Sequence, residues 1–269
     1  MRSLLRNHNL VTVCKEAHCP NQFECYDNGT ATFMILGERC TRNCRYCAVQ
    51  QHPQDPPDTD EPLRIANAVR TLNLKYVVIT SVTRDDLGDG GADHFRKTIE
   101  VVRQRIPDVK IEVLIPDLEG DNLALAHLLE SAPNVLNHNL ETVERLYHKV
   151  RPEADYNRSL RLLQQSKKFA PHIPTKSGIM VGLGETVEDL EKSMADLLAH
   201  GCDILTLGQY LQPSKYHLPV KRFLPPVEFE QLREKALDMG FKGVASGPMV
   251  RSSYNAGKLY NEVTKSERV

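Results

Sequence analysis

From residue 33 onward, short apolar runs alternate with longer amphipathic stretches, and this rhythm constrains the fold more than any other feature of the chain. The runs at 33–36, 76–80, 111–115, 134–136, 178–181 and 204–207 are strand candidates. Helical patterns fall between them at about 62–73, 93–106, 121–132, 142–149, 157–169 and 187–200. Six strands, each followed by a loop and most then by a helix, call for a parallel sheet with right-handed crossovers. From pattern alone, a doubly wound sheet and a barrel both satisfy this rhythm.

Local signals place several helix starts. Pro62 suits a first helical turn, and the preceding stretch 51–62, rich in Pro and Asp, reads as a loop. Asp93 can cap a helix that carries Phe95, Ile99, Val102 and Ile106 on one face. Thr186 with Asp189 resembles a capping box, and Val187, Leu190, Met194 and Leu197 form the expected buried stripe behind it. No long-period repeat or low-complexity tract interrupts the pattern.

Six of the seven cysteines fall within 14–47, in two triplets. Cys14, Cys19 and Cys25 are spaced C-x4-C-x5-C; Cys40, Cys44 and Cys47 are spaced C-x3-C-x2-C and follow the apolar run at 33–36. Thiolates of this kind hold iron-sulfur clusters. Three ligands for a four-iron cube leave one iron without a protein ligand, and an open metal position marks a centre that does chemistry rather than one that is structural. Zinc is a rival, with His18 as an added ligand, but zinc motifs usually pair C-x2-C with a second C-x2-C or with histidines, and neither triplet does so. Disulfides suit a secreted chain. The start MRSLLRNHNLVTVC has no signal-peptide core or cleavage site.

The second triplet, with Tyr46 in its aromatic position, resembles C-x3-C-x-aromatic-C, the signature of the radical S-adenosylmethionine (radical SAM) superfamily. In that superfamily the open iron takes the amino and carboxylate groups of S-adenosylmethionine, and one electron cleaves it to a 5'-deoxyadenosyl radical. The first triplet narrows the resemblance to the lipoyl synthases. Eight segments carry it in the expected order over nearly the whole chain: CPNQFEC (19–25), GTATFMILG (29–37), CTRNCRYC (40–47), TSVTRDDLGDGGADHF (80–95), NHNLET (137–142), MVGLGET (180–186), GQYLQPS (208–214) and RSSY (251–254).

That resemblance implies an α/β fold, a partial (β/α)6 TIM-like barrel over 31–240. A short extension, 1–30, would carry the auxiliary-cluster cysteines, and a C-terminal segment, 241–269, would close that cluster through RSSY. Working residues of parallel barrels lie at the C-terminal ends of strands. Cys40, Cys44 and Cys47 would hold the 4Fe-4S cluster that binds S-adenosylmethionine. Cys14, Cys19 and Cys25 would hold an auxiliary 4Fe-4S cluster, with Ser253 as its fourth ligand in preference to Ser252. An alkoxide oxygen is a poor partner for iron beside thiolate, which suits a cluster that is dismantled in use. Where the family usually continues RSSY with His-Ala, this chain has Asn255-Ala256.

Contacts to S-adenosylmethionine are expected from Tyr46, Thr83, Asp85, Asn137, Asn139, Glu141 and Gly182. The polar run 80–86 takes the place of a Gly-Gly-Glu type segment and reads as a ligand site rather than a plain turn. The glycines of GLGE (182–185) let backbone approach a ligand closely. His138 reads equally well as a hydrogen-bonded structural histidine or as a site residue. Lys176 reads as a surface lysine and Cys202 as a buried, inert core cysteine.

The implied reaction inserts two sulfur atoms at carbons six and eight of an octanoyl chain carried on a lysine of a lipoyl domain. Those C–H bonds have no acidic proton, so a radical rather than a general base must break them, and the cofactor supplies that chemistry. Expected partners are octanoylated lipoyl domains of lipoate-dependent complexes, or octanoylated H protein, with a ferredoxin or flavodoxin as electron donor and an iron-sulfur cluster carrier. Rivals are another two-cluster radical SAM enzyme that inserts sulfur or transfers methylthio groups, and a non-catalytic iron-sulfur carrier or zinc-binding module. The match to RSSY argues against the first, and a carrier has no use for six strand-loop units.

Composition agrees. The 269 residues suffice for one α/β barrel. The 34 Lys and Arg nearly balance 35 Asp and Glu, for a formal charge of -1, so overall charge suggests neither nucleic acid nor an anionic membrane as partner. The longest apolar runs fall short of a membrane span. A cytoplasmic location, where thiols stay reduced, is the expectation.

Overall fold

The computed structural model describes residues 10–16, 19–27, 32–52 and 55–266; His18 and residues 29–31, which belong to the motifs above, lie outside them. The chain divides into two compact units, Met1–Arg42 with Ala48–Leu136 and Asn43–Cys47 with Asn137–Val269.

In chain order, the first unit holds β1 Val11–Thr12, α1 Val13–Glu16, α2 Gln22–Asp27, β2 Thr32–Ile35, β3 Arg39–Cys40, β4 Gln50–Gln51, α3 Glu61–Thr71, β5 Tyr76–Ser81, α4 Ala92–Arg105, β6 Lys110–Leu114 and α5 Asn122–Leu129. It ends within β7, Val135–Asn137. Strand β1 runs antiparallel to β2, with Val11 opposite Met34. Strands β2, β5 and β6 are parallel, with Phe33 opposite Ile79 and Ile79 opposite Val113. Phe33, Met34, Ile35, Val77, Val78 and Ile79 are all buried, the near-continuous apolar run of a parallel sheet covered on both faces. Helix α4 buries Phe95, Ile99 and Val102 as its spacing predicts.

The cap of α4 differs from expectation. Gly91, not Asp93, is the N-cap, in the left-handed region at φ 91°. Asp89 serves the free amides instead, accepting from Gly91 N at 2.9 Å and Asp93 N at 2.8 Å. The Asp93 carboxylate turns to Lys97, Arg96 and His127. Glycine is needed at 91 for space as well, because a Cβ there would lie 2.3 Å from Leu36 Cδ1. Leu36 itself has φ 67°, and its amide is held by the buried Glu61 Oε2 at 2.9 Å, which also meets His94 Nε2 at 2.7 Å.

The second unit continues with a 3-10 turn Glu144–Leu146, α6 Tyr147–Val150, α7 Tyr156–Phe169, β8 Thr175–Val181, α8 Val187–Ala199, β9 Ile204–Gln209, α9 Pro226–Met239, β10 Gly243–Gly247 and α10 Ala256–Ser266. Strands β8, β9 and β10 are parallel. The segment after β7 runs beside β8, with His138 N donating to Lys176 O and Glu141 N to Gly178 O. The Thr186–Asp189 capping box is present in both directions. Leu190, Met194 and Leu197 are buried, but Val187 is 56% exposed and does not belong to the stripe, because at the first helical position it points off the packed face.

All six expected strands are found. A seventh parallel strand, β10, and the helices α9 and α10 were not foreseen. Strand β8 starts three residues before the expected run, so Lys176 lies inside it and is buried at 1% exposure, which overturns its assignment as a surface lysine. Among the described residues, no helix is long and apolar enough to cross a membrane.

Candidate functional site

In the first unit, the N-terminal triplet is drawn together by short local structure. Cys14 lies on α1 and Cys25 on α2; Cys19 N donates to Cys14 O at 3.1 Å, and Cys25 N to Asn21 O at 2.9 Å. Cys19 lies near enough to bear on both Cys14 and Cys25, and Cys14 on Cys25. Burial, then the charges of Cys14, Cys19 and Glu24, push Cys25 up to about 11. Burial raises Cys14 too, with Cys19 adding to the rise and Thr32 opposing it. Soft donors crowded so that a negative charge on Cys14 or Cys25 is disfavoured are a natural seat for a cation or a metal cluster, which removes the repulsion.

Cys40 ends β3, and its sulfur accepts from two amides, Arg42 N at 3.4 Å and Thr83 N at 3.3 Å. The run after β5 is spent on this turn. Thr83 O accepts from the Thr41 amide at 2.9 Å and from its hydroxyl at 3.0 Å. Asp85 takes Thr41 Oγ1 at 3.0 Å and both Nε and Nη2 of Arg42 at 2.7 and 2.8 Å. Arg42 also forks onto Asp117, which is fully buried, at 2.6 and 3.0 Å. Arg84 clamps Leu36 O and Asp55 O while paired with Asp86.

In the second unit, Cys44 and Cys47 close a turn in which Cys47 N donates to Cys44 O at 3.0 Å. Tyr46 sits among charges. Burial, then the nearby Glu141 carboxylate and Cys44, raise its hydroxyl well above the usual range, with Arg151 opposing. Glu141 is raised by burial, against the pull of Arg151 and of hydrogen bonds from Asn139 and Tyr46. Arg151 is buried, which disfavours its charge, but Tyr147, Tyr46, Cys44 and Glu141 outweigh that and raise it. Its Nη1 donates to Asn139 O, Leu140 O and Tyr147 Oη, and its guanidinium stands 5.3 Å over the Tyr147 ring.

Asn139 reaches both Glu141 Oε1 at 3.0 Å and Ser252 Oγ at 2.6 Å through Nδ2, so the RSSY segment meets the end of β7 by way of Ser252. Among the described residues, Oδ1 of Asn139 is buried and has no hydrogen-bond partner. A Cβ at Gly178 would come within 2.9 Å of that oxygen. Asn137 is fully buried at the end of β7. His138 is buried, with Nε2 on Ser159 Oγ at 2.9 Å, a hydrogen-bonded structural histidine. Gly182 has φ 98°, and a Cβ there would meet Gln209 Nε2 at 2.2 Å and Arg222 O at 2.4 Å. Glu185 folds back onto the amides of Gly182 and Leu183. Cys202 is buried, with its sulfur toward Ile204 O.

The residues expected in the site divide between the two units. Cys14, Cys19, Cys25, Cys40, Thr83 and Asp85 belong to the first; Cys44, Tyr46, Cys47, Asn137, Asn139, Glu141, Gly182, Ser252 and Ser253 belong to the second. Sequence reasoning assigned no role to Arg42, Arg151, Gln209 and His217, although Arg42 and Gln209 stand within the segments 40–47 and 208–214. Among the described residues no three His, Cys, Asp or Glu side chains converge on one point as a lone metal ion requires. A four-iron cube asks instead for one thiolate at each of several separate irons.

Residues 34–197 match the model of the radical SAM superfamily. The chain is 56% identical over 262 residues to lipoyl synthase of Desulfotalea psychrophila, covering 97% of this chain and 88% of that one. It is 56% identical over 259 residues to lipoyl synthase of Nitrosococcus oceani, covering 96% and 80%. The chain belongs to the lipoyl synthase family of the radical SAM superfamily.

Solved structures agree on the fold. HydG, a hydrogenase maturase, is similar at a TM-score of 0.64 and 15% identity, covering 86% of this chain and 54% of that one. Methylornithine synthase is similar at 0.56 and 17%, covering 71% and 56%. A radical-SAM-type mixed α/β fold with parallel strands is therefore common to this lipoyl synthase relative and to enzymes of quite different sequence. The residues present also fit the groups such enzymes carry. Two sets of cysteines supply soft donors, and the orphaned Asn139 oxygen, packed close against Gly178, is a buried acceptor.

Proposed function

We propose that this chain inserts two sulfur atoms at carbons six and eight of an octanoyl chain borne on a lipoyl domain, as lipoyl synthases do. The observation that carries this reading is the N-terminal triplet: three thiols brought within electrostatic reach of one another, in a chain 56% identical to lipoyl synthases. Cys40, Cys44 and Cys47 would hold one 4Fe-4S cluster. Cys14, Cys19 and Cys25, with Ser253 of the segment 241–269, would hold the auxiliary one. When bound, the two clusters supply the electron that cleaves S-adenosylmethionine and the sulfide that is inserted.

The chain's own residues bind and orient. Asn139 would accept a hydrogen bond from S-adenosylmethionine through Oδ1, and Glu141, held by Asn139, would receive a cationic or hydroxyl group. Tyr46 reaches Glu141 and would flank that position, Asn137 at the end of β7 would add a further contact, and the bare Gly178 and Gly182 let Asn139 and Gln209 pack close to the strand. Thr83 and Asp85 are better read as supports of the Cys40 turn, since their groups are committed to Thr41, Arg42 and the Cys40 sulfur. Ser252 is occupied by Asn139, which supports Ser253 as the iron ligand. The partners would be octanoylated lipoyl domains or octanoylated H protein, a ferredoxin or flavodoxin, and a cluster carrier. Two cysteine triplets with cluster-ligand spacing would need a reducing compartment such as the cytoplasm.

The test uses anaerobically reconstituted protein with an octanoylated lipoyl domain. Replacing Cys40, Cys44 or Cys47 by Ala should abolish formation of 5'-deoxyadenosine. Replacing Cys14, Cys19 or Cys25 should leave that cleavage and remove the lipoyl product. Lipoyl product from the second set would refute the assignment.

A further inference from the structure

We propose that His217 is a positioning residue for the turn Cys44 to Cys47: its imidazole, oriented by Ser214, donates to the Cys47 carbonyl and braces the turn that carries both thiols. This rests on the reading of Cys40, Cys44 and Cys47 as a cluster site. Hydrogen bonds from several parts of the second unit hold the turn. Cys47 N donates to Cys44 O at 3.0 Å, Arg45 N to Val150 O at 3.0 Å, and Leu218 N to Arg45 O at 3.1 Å. A further one, His217 Nε2 to Cys47 O at 3.0 Å, comes from a side chain 170 residues away in the sequence.

The loop after β9 is built to deliver that contact. Tyr210 Oη donates to Leu218 O at 2.7 Å, Gln212 Nε2 to His217 O at 2.9 Å, and His217 N to Ser214 O at 3.0 Å. Ser214 Oγ lies 2.9 Å from His217 Nδ1 and accepts from Tyr216 N at 3.3 Å. In the neutral ring these contacts select one tautomer. A carbonyl only accepts, so Nε2 carries the proton; Nδ1 must then accept, and the Ser214 hydroxyl donates to it. The donors run in one direction, from Tyr216 N through Ser214 and the imidazole to Cys47 O, and each polarises the next. Gln212, Ser214 and Tyr216 are exposed while His217 is half-buried against the turn, so the loop places one ring inward and leaves its neighbours in water.

Groups that orient a metal ligand's backbone govern how firmly the metal is held; losing one typically costs tenfold or more. The experiment uses the full chain carrying Cys14→Ala, Cys19→Ala and Cys25→Ala, so that the cluster of the second triplet is observed alone. After anaerobic reconstitution, release of iron to a chelator is followed, and the electron paramagnetic resonance spectrum of the reduced protein is recorded.

His217→Ala should speed iron release roughly tenfold and alter the spectrum. His217→Gln, whose amide can donate from nearly the position of Nε2, should restore both to within about twofold, which a mere filling role would not do. Ser214→Ala keeps the ring but loses its orienting hydroxyl and should give an intermediate effect, about threefold. Unchanged release in His217→Ala overturns the brace, as does an equal loss in the Ala and Gln variants. If His217→Ala fails to fold, Ser214→Ala decides, and an unchanged rate there overturns it. Failure of the triple-alanine chain to take up iron with His217 intact would overturn the cluster assignment itself, and the brace with it.

Discussion

Arg42 stands two residues past Cys40 with its guanidinium divided between two carboxylates. It is 4% exposed and Asp117 is fully buried, so each ion has exchanged water for the other. The forked geometry supplies four charge-assisted hydrogen bonds, and Asp85 and Asp117 together hold the arginine's charge more firmly than usual against the cost of burial. Removing one partner of such a group strands the other. Arg42→Ala should therefore lower the unfolding free energy by about 3–5 kcal/mol, measured by denaturant titration of the apoprotein. Arg42→Lys, a point charge without the fork, should recover part of that loss. At this scale the sequence was only partly legible. Asp85 reads in the sequence as a ligand contact because it sits in a polar run after a strand. Its carboxylate is engaged by Arg42, a partner 43 positions earlier that no local pattern reveals.

Elements are tied at their ends as well as along their faces. In the second unit, Asp203 just before β9 accepts from Thr175 N at the start of β8, pairs with Lys167 of α7, and meets Lys242 before β10 at 3.2 Å. Burial pushes its carboxyl up, but Lys167, the Thr175 amide and Lys242 outweigh that and hold it below its ordinary value. A carboxyl depressed in the folded state contributes stability above its unfolded pKa of about 4 and loses it as pH falls through the lower folded value. Asp203→Asn should thus be less stable than the parent at pH 7, and the gap should narrow as pH is lowered below about 4, in thermal melts across that range. The same region shows why β10 escaped notice. Its GVASG has no apolar run, because helix α10 packs so closely that a Cβ at Gly243 would lie 2.5 Å from Val263 Cγ2. Helix α9 buries Phe229, Leu232 and Ala236, but Val227 and Leu237 are exposed off that stripe and blur its period. The capping box of α8 was legible, since a Thr and an Asp three residues apart act within one turn.

For the whole molecule, the decisive quantity is how much iron it holds. Two four-iron clusters require about eight irons and as many labile sulfides per chain after anaerobic reconstitution, and the Cys14, Cys19 and Cys25 triple-alanine variant should hold about four. A parent value of about four would leave one triplet without a cluster. By itself the sequence determined the family, the two cysteine triplets and the succession of strand, loop and helix, because spacing and periodicity act over a few residues and survive without knowledge of neighbours. Only the tertiary structure decided which polar groups meet. Lys176 turned out to lie inside a strand, Ser252 to be engaged by Asn139, and His217 to reach the Cys47 carbonyl. Such pairings depend on the register of strands and the return path of loops, which join positions that the chain keeps far apart.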